Sequence, residues 1–75
     1  MNRDITLAVL VGGTYLRSFD IDAEEAAAIR KGETINLPRE PSLKITRVER
    51  TFGYRNDVGC GPLRLSSVEI DTVSL

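Results

Sequence analysis

Residues 5–21, "ITLAVLVGGTYLRSFDI", restrict the fold more than any other stretch. Two runs of β-forming residues flank Gly12-Gly13, the pattern of a hairpin. A two-residue turn would set Val9 against Leu16 and put Ser18 and Asp20 on the face of Ile5 and Leu7. A three-residue loop, Gly12-Gly13-Thr14, instead pairs Val11 with Tyr15, Leu7 with Phe19 and Ile5 with Ile21. That register gathers Ile5, Leu7, Val9, Val11, Tyr15, Phe19 and Ile21 on one face, and burial fixes register more strongly than turn preference does. Only Arg17 interrupts the face. It reads either as a strand-edge residue whose stem covers apolar surface while its head reaches water, or as a charge paired to a partner or ligand.

The hairpin runs directly into "IDAEEAAAIRKGE". Asp22 has the chemistry of an N-cap, Glu25 stands three positions on as in a capping box, and Ile21 and Ala26 occupy the two positions of a hydrophobic staple. Acids fill the first turn, Arg30 and Lys31 the last, and Gly32 is placed for a left-handed cap. A short helix over about residues 23–31 is expected, its alanine face and Ile29 packed on a sheet.

"ETINLP" adds a strand with Ile35 and Leu37 inward, and two longer strands follow, Leu43 to Tyr54 and Leu63 to Leu75. In both, the apolar alternation changes phase: Leu43 and Ile45 give way to Val48, Arg50, Phe52 and Tyr54, and Leu63 and Leu65 to Val68 and Ile70. Pairing Ile45 with Val68 and Val48 with Leu65 aligns the two breaks and brings Lys44 opposite Glu69. Aligned breaks predict a bulge or bend of the kind that curls small sheets. The expected fold is therefore α+β: one small β-rich domain over residues 1–75, in the order β-β-α-β-β-β, with a strongly bent antiparallel sheet or partial barrel and one short helix.

A chain of 75 residues buries only about 60% of the surface its unfolded form exposes, and domains of this size lean on disulfides, a metal or a partner. With Cys60 the only cysteine and no histidine, the first two are nearly excluded. Self-association into a homodimer or higher oligomer is the expected supplement. No apolar run approaches the roughly 20 residues of a membrane span, and Asp4 precedes "ITLAVLVGG" where a signal peptide carries positive charge. A cytoplasmic, unexported chain is expected, without membrane contact, and a single cysteine fits a reducing compartment.

The net charge of −1 gives no general attraction to nucleic acid, which is not expected as a partner. The charge is unevenly distributed, however. Residues 43–64 hold five bases against two acids, whereas residues 1–42 hold five against seven.

Catalysis finds little support. Without histidine, nucleophile activation, general acid–base work near neutral pH and zinc binding lose their commonest participant. Asp20 and Asp22 form a D-x-D pair, but Asp22 is already assigned to the helix cap, so no metal site and no cofactor are expected. Cys60 reads as a small packing residue of a turn, and neither Gly12-Gly13 nor Gly59-x-Gly61 is followed by a helix or by the residues a phosphate loop requires.

The segment from Gly53 to Pro62 is rich in turn chemistry and longer than a plain hairpin needs. Around it stand Arg47, Arg50, Arg55 and Arg64 with Phe52 and Tyr54, a set suited to oxyanions and stacked rings. These residues, with Arg17, are the candidate partner- or ligand-binding positions. The expected function is a non-enzymatic binding protein that occupies a surface of another macromolecule, as a homo-oligomer. On grounds of size rather than of any residue, it falls with the accessory and inhibitor proteins of phages and mobile elements. The alternative is a binder of a small anionic or nucleotide-like ligand, held between subunits by the arginine-rich hairpin.

Overall fold

The computed structural model describes residues 3–54 and 63–75. Its elements are β1 (Ile5–Val11), β2 (Thr14–Ile21), α1 (Ala23–Ala28), β3 (Thr34–Ile35), β4 (Leu43–Tyr54) and β5 (Leu63–Ser74). They give the expected α+β order, and the five strands form one curled, half-barrel sheet in the spatial order β2-β1-β5-β4-β3. Every pairing is antiparallel except the central one, β1 with β5, which is parallel. No described helix is long and apolar enough to cross a membrane.

Turn and burial preferences are both met in the first hairpin. Gly12 and Gly13 have φ of +58° and +83°, the two positive values of a type I′ turn, and Val11 pairs with Thr14 rather than Tyr15. The expected three-residue loop is thus a two-residue turn. Between Val9 and Leu10 the register shifts by one, with Leu16 as the extra residue of β2, and from there Val9 faces Arg17, Leu7 faces Phe19 and Ile5 faces Ile21. The bulge restores the register that buries Ile5, Leu7, Val9 and Ile21. Its local consequence is that Tyr15, expected on the core face, is exposed, while Leu16 packs against the core.

The capping box forms as expected. The Asp22 carboxylate accepts from the Glu25 backbone N–H at 2.8 Å, and Glu25 Oε1 accepts from the Asp22 N–H at 3.1 Å. The helix nevertheless stops at Ala28, three residues short of the expected end, because Ile29 turns to extended backbone (φ −77°, ψ 121°) and drops into the core. Gly32 is left-handed (φ +92°) but serves the turn into β3, where its N–H donates to the Ile45 carbonyl at 2.8 Å. β3 is only two residues long, with Ile35 and Leu37 half-buried against the core.

The expected register of β4 on β5 is wrong by four to five positions. Ile45 pairs with Thr72, Val48 with Ile70, Lys44 with Val73, and Glu69 with Glu49 rather than Lys44. The two phase breaks are real but not aligned: each is a separate bulge, with Thr46 the extra residue in β4 and Ser66 in β5. Both extra residues carry a hydroxyl that donates across the ladder, Thr46 to the Asp71 carbonyl at 3.1 Å and Ser66 to the Thr51 carbonyl at 3.0 Å. Side-chain bonds thus replace backbone bonds where the ladder is interrupted. The residue that misleads the pattern is Thr72, a polar side chain buried in the core because its hydroxyl donates to the Leu10 carbonyl at 2.7 Å.

The core lies on the concave face. Val9, Ile70, Val68, Leu43 and Ala26 are essentially inaccessible, with Ile5, Leu7, Ile21, Ile29 and Ile45 around them. Burying an aliphatic side chain of this kind contributes about 1.5–3 kcal/mol. Ala26 has little side chain, and that lets α1 sit close to the sheet.

Candidate functional site

The alternation of β4 carries Val48, Arg50 and Phe52 along one face, opposite Ile70, Val68 and Leu65 of β5. The first half of this face is core. It then passes the end of the helix, where Arg50 stands at a position that alternation reserves for an apolar residue. Arg50 Nη2 donates to the carbonyl of Ile29 at 2.7 Å and to that of Ala26 at 3.3 Å. The Ile29 oxygen is left over at the helix end, that of Ala26 also accepts from the Ile29 N–H at 3.3 Å, and no basic residue of the last turn is there to take them. The role expected of Arg30 and Lys31 is filled from the neighbouring strand.

Beyond Arg50 no described helix or third strand covers the face. The ladder between β1 and β5 begins at Thr6 and Ser67, and β3 touches β4 only at Leu43 and Lys44. Residues 52–54 and 63–66 therefore form a two-stranded arm projecting past the sheet. Phe52 is 56% exposed and Leu63 60%, with Leu65 half-buried between them and the core. Register places Tyr54 opposite Leu63. The apolar face of the sheet continues onto this arm, where neither α1 nor a third strand covers it.

Beside the helix end, a groove of about 610 Å³ opens between α1 and β4. Its cations are Arg30, Lys31, Arg47 and Arg50, and Ile29 and Val48 supply an apolar wall. Arg47 is engaged on both sides, Nη1 with Glu49 at 2.8 Å and Nη2 with Glu69 at 2.7 Å. It resolves the like-charge pairing of Glu49 with Glu69 across the ladder. The hydrogen bond that Arg47 donates to Glu69, reinforced by the neighbouring carboxylates, raises the Arg47 pKa above its ordinary value. Among the described residues, no carboxylate pairs with Arg30, Lys31 or Arg50.

The candidate residues thus separate into several places. Arg47 and Arg50 share the groove, and Phe52 lies on the arm. Arg64 is on the β5 strand of the arm and is bound to Asp4, just before β1, at 2.6 Å. Arg17 lies 3.6 Å from Glu40 and is half exposed, a rim ion pair of the kind worth about 0–1 kcal/mol. Arg55, Cys60 and the loop tip lie outside the described residues. Arg30 and Lys31 are the groove residues that sequence reasoning missed, because it spent them on the last helical turn. The signal available was Arg50, a charge on a buried face that needs a partner. Among the described residues, no cluster of three or more potential metal ligands occurs, and Asp22 of the D-x-D pair is committed to the helix cap.

Comparison with protein-family models, with curated proteins and with solved structures finds no match for this chain.

Proposed function

We propose that the chain is a non-enzymatic binding protein that occupies a surface of another macromolecule with the arm of the β4–β5 hairpin, and that copies of the chain associate through the same face. One observation carries this reading: the core-side face continues past the last supporting strand and leaves Phe52 and Leu63 more than half exposed on it. An isolated two-stranded ribbon is at best marginally stable in water, so an arm that presents aromatic and aliphatic side chains gains from a surface to lie against. Aromatic anchors of this type dominate the energetics of interfaces. Action on a host protein as a phage or mobile-element accessory factor, in the cytoplasm, is the biological setting that fits a small module of this kind.

Photo-crosslinking tests it. A photoreactive residue at position 52 is expected to give crosslinks to a second copy or to a discrete macromolecular partner. The same residue at position 51, on the opposite face of β4, gives none, and Leu63→Asp abolishes those from position 52. Equal crosslinking from positions 51 and 52 overturns the proposal.

A further inference from the structure

We infer that the groove between α1 and β4 is a binding site for a phosphate-bearing small molecule, at the scale of pyrophosphate or a nucleoside diphosphate. The inference stands apart from the arm. It rests on three cations, Arg30, Lys31 and Arg50, that line one groove of a chain whose net charge is −1, with no carboxylate partner among the described residues and no acid in the lining.

The cations divide by what already holds them. Arg47 has both terminal nitrogens on carboxylates, so its charge is neutralised and it contributes neither field nor donors. Arg50 is held in place by two carbonyl oxygens through Nη2, which fixes its guanidinium plane and leaves Nη1 and Nε with no acceptor among the described residues. Arg30 and Lys31 are exposed, and neither has a carboxylate partner among the described residues. An arginine fork matches two oxygens of a phosphate, and a lysine adds a mobile point charge. Mutual repulsion of Arg30, Lys31 and Arg50 is relieved by a bound dianion.

Two opposing effects decide the class of ligand. A helix C-terminus carries roughly half a negative charge and disfavours anions. Here it is a single short helix whose last carbonyls are already bonded by Arg50, set against three cations without carboxylate partners, so the positive field prevails. The volume of about 610 Å³ falls within the roughly 300–1,000 Å³ of small-molecule pockets and exceeds what one inorganic phosphate fills.

The test is isothermal titration and thermal shift of the full chain with pyrophosphate, with ADP and with a ten-nucleotide single strand, each at low and physiological salt. Pyrophosphate and ADP are expected to bind saturably and raise the melting temperature. The double variant Arg30→Ala/Lys31→Ala, altered only at exposed positions, is expected to keep the parent fold and lose affinity at least about tenfold. Arg39→Ala/Lys44→Ala removes the same charge elsewhere and is expected to bind as the parent does. Equal losses in the two double variants, or no response of the parent to millimolar pyrophosphate and ADP, overturn the site. Binding of the oligonucleotide alone overturns the small-molecule assignment.

Discussion

Arg50 shows how one side chain settles a conflict between two elements. Its place on β4 faces the core side, and the helix that crosses it ends without a basic residue in its last turn. A guanidinium on a long stem satisfies both, lying along the sheet and closing the carbonyls of Ala26 and Ile29. Arg50→Met keeps the stem and removes the donors, and is expected to cost about 1–2 kcal/mol. In a domain of this size that lowers Tm by roughly 5–15 °C. Arg50→Lys, which offers one charged nitrogen to the same carbonyls from a shorter stem, is expected to fall between, and thermal melts of the three proteins check the order. Gly32 is the second position where one residue type is required. A Cβ there would meet no atom within 4 Å, so the cost of Gly32→Val comes only from its φ of +92°. A left-handed β-branched residue is expected to cost about 1–2 kcal/mol. An unchanged denaturant midpoint would mean that the turn into β3 does not hold that conformation.

The bulges decide which side of each strand is core. Thr46 separates Leu43 and Ile45 from the phase of Val48, and all three face inward only because the extra residue is there. Deleting Thr46 turns Leu43 and Ile45 to solvent or breaks the β4–β5 register, since a one-residue slip exchanges the faces of a strand. Loss of cooperative folding is expected. Deleting Ser66 displaces residues 63–65 of the arm, outside the β1–β5 ladder and tied to it by the exposed Arg64–Asp4 pair, and is expected to leave a cooperative transition within a few degrees of the parent. Circular-dichroism melts of the two deletions distinguish these outcomes, and comparable damage from both would contradict the division into core sheet and arm. The strands, the capping box and the phase breaks were legible in the sequence because each depends on neighbours within a few residues. The pairing of β4 with β5 was not, since it turns on Thr72, a polar residue buried by a hydrogen bond to a carbonyl of β1 sixty-two positions away. For the same reason the parallel contact of β1 with β5 left no local mark. At the candidate site, the alternation that put Arg50 and Phe52 on one face was visible. The early end of α1, which releases Arg30 and Lys31 into the groove, depends on Ile29 entering the core, and no signal within the helix announces that.

At the scale of the whole molecule, the radius of gyration is 13.2 Å, whereas a compact chain of this length has about 11 Å. The extents of 43 × 24 × 19 Å show the same elongation. An extended arm enlarges surface in a domain with little core to spare, and it leaves apolar side chains in water. Both effects are offset when the arm faces of two copies meet, which makes self-association the most direct consequence of the account. Sedimentation equilibrium across the micromolar range measures it on the parent chain and on Phe52→Asp/Leu63→Asp, a variant altered only at exposed positions. The account predicts a parent mass at least twice that of the monomer and a variant that sediments as a folded monomer. A parent chain of monomer mass throughout, or a variant that associates as the parent does, would contradict it.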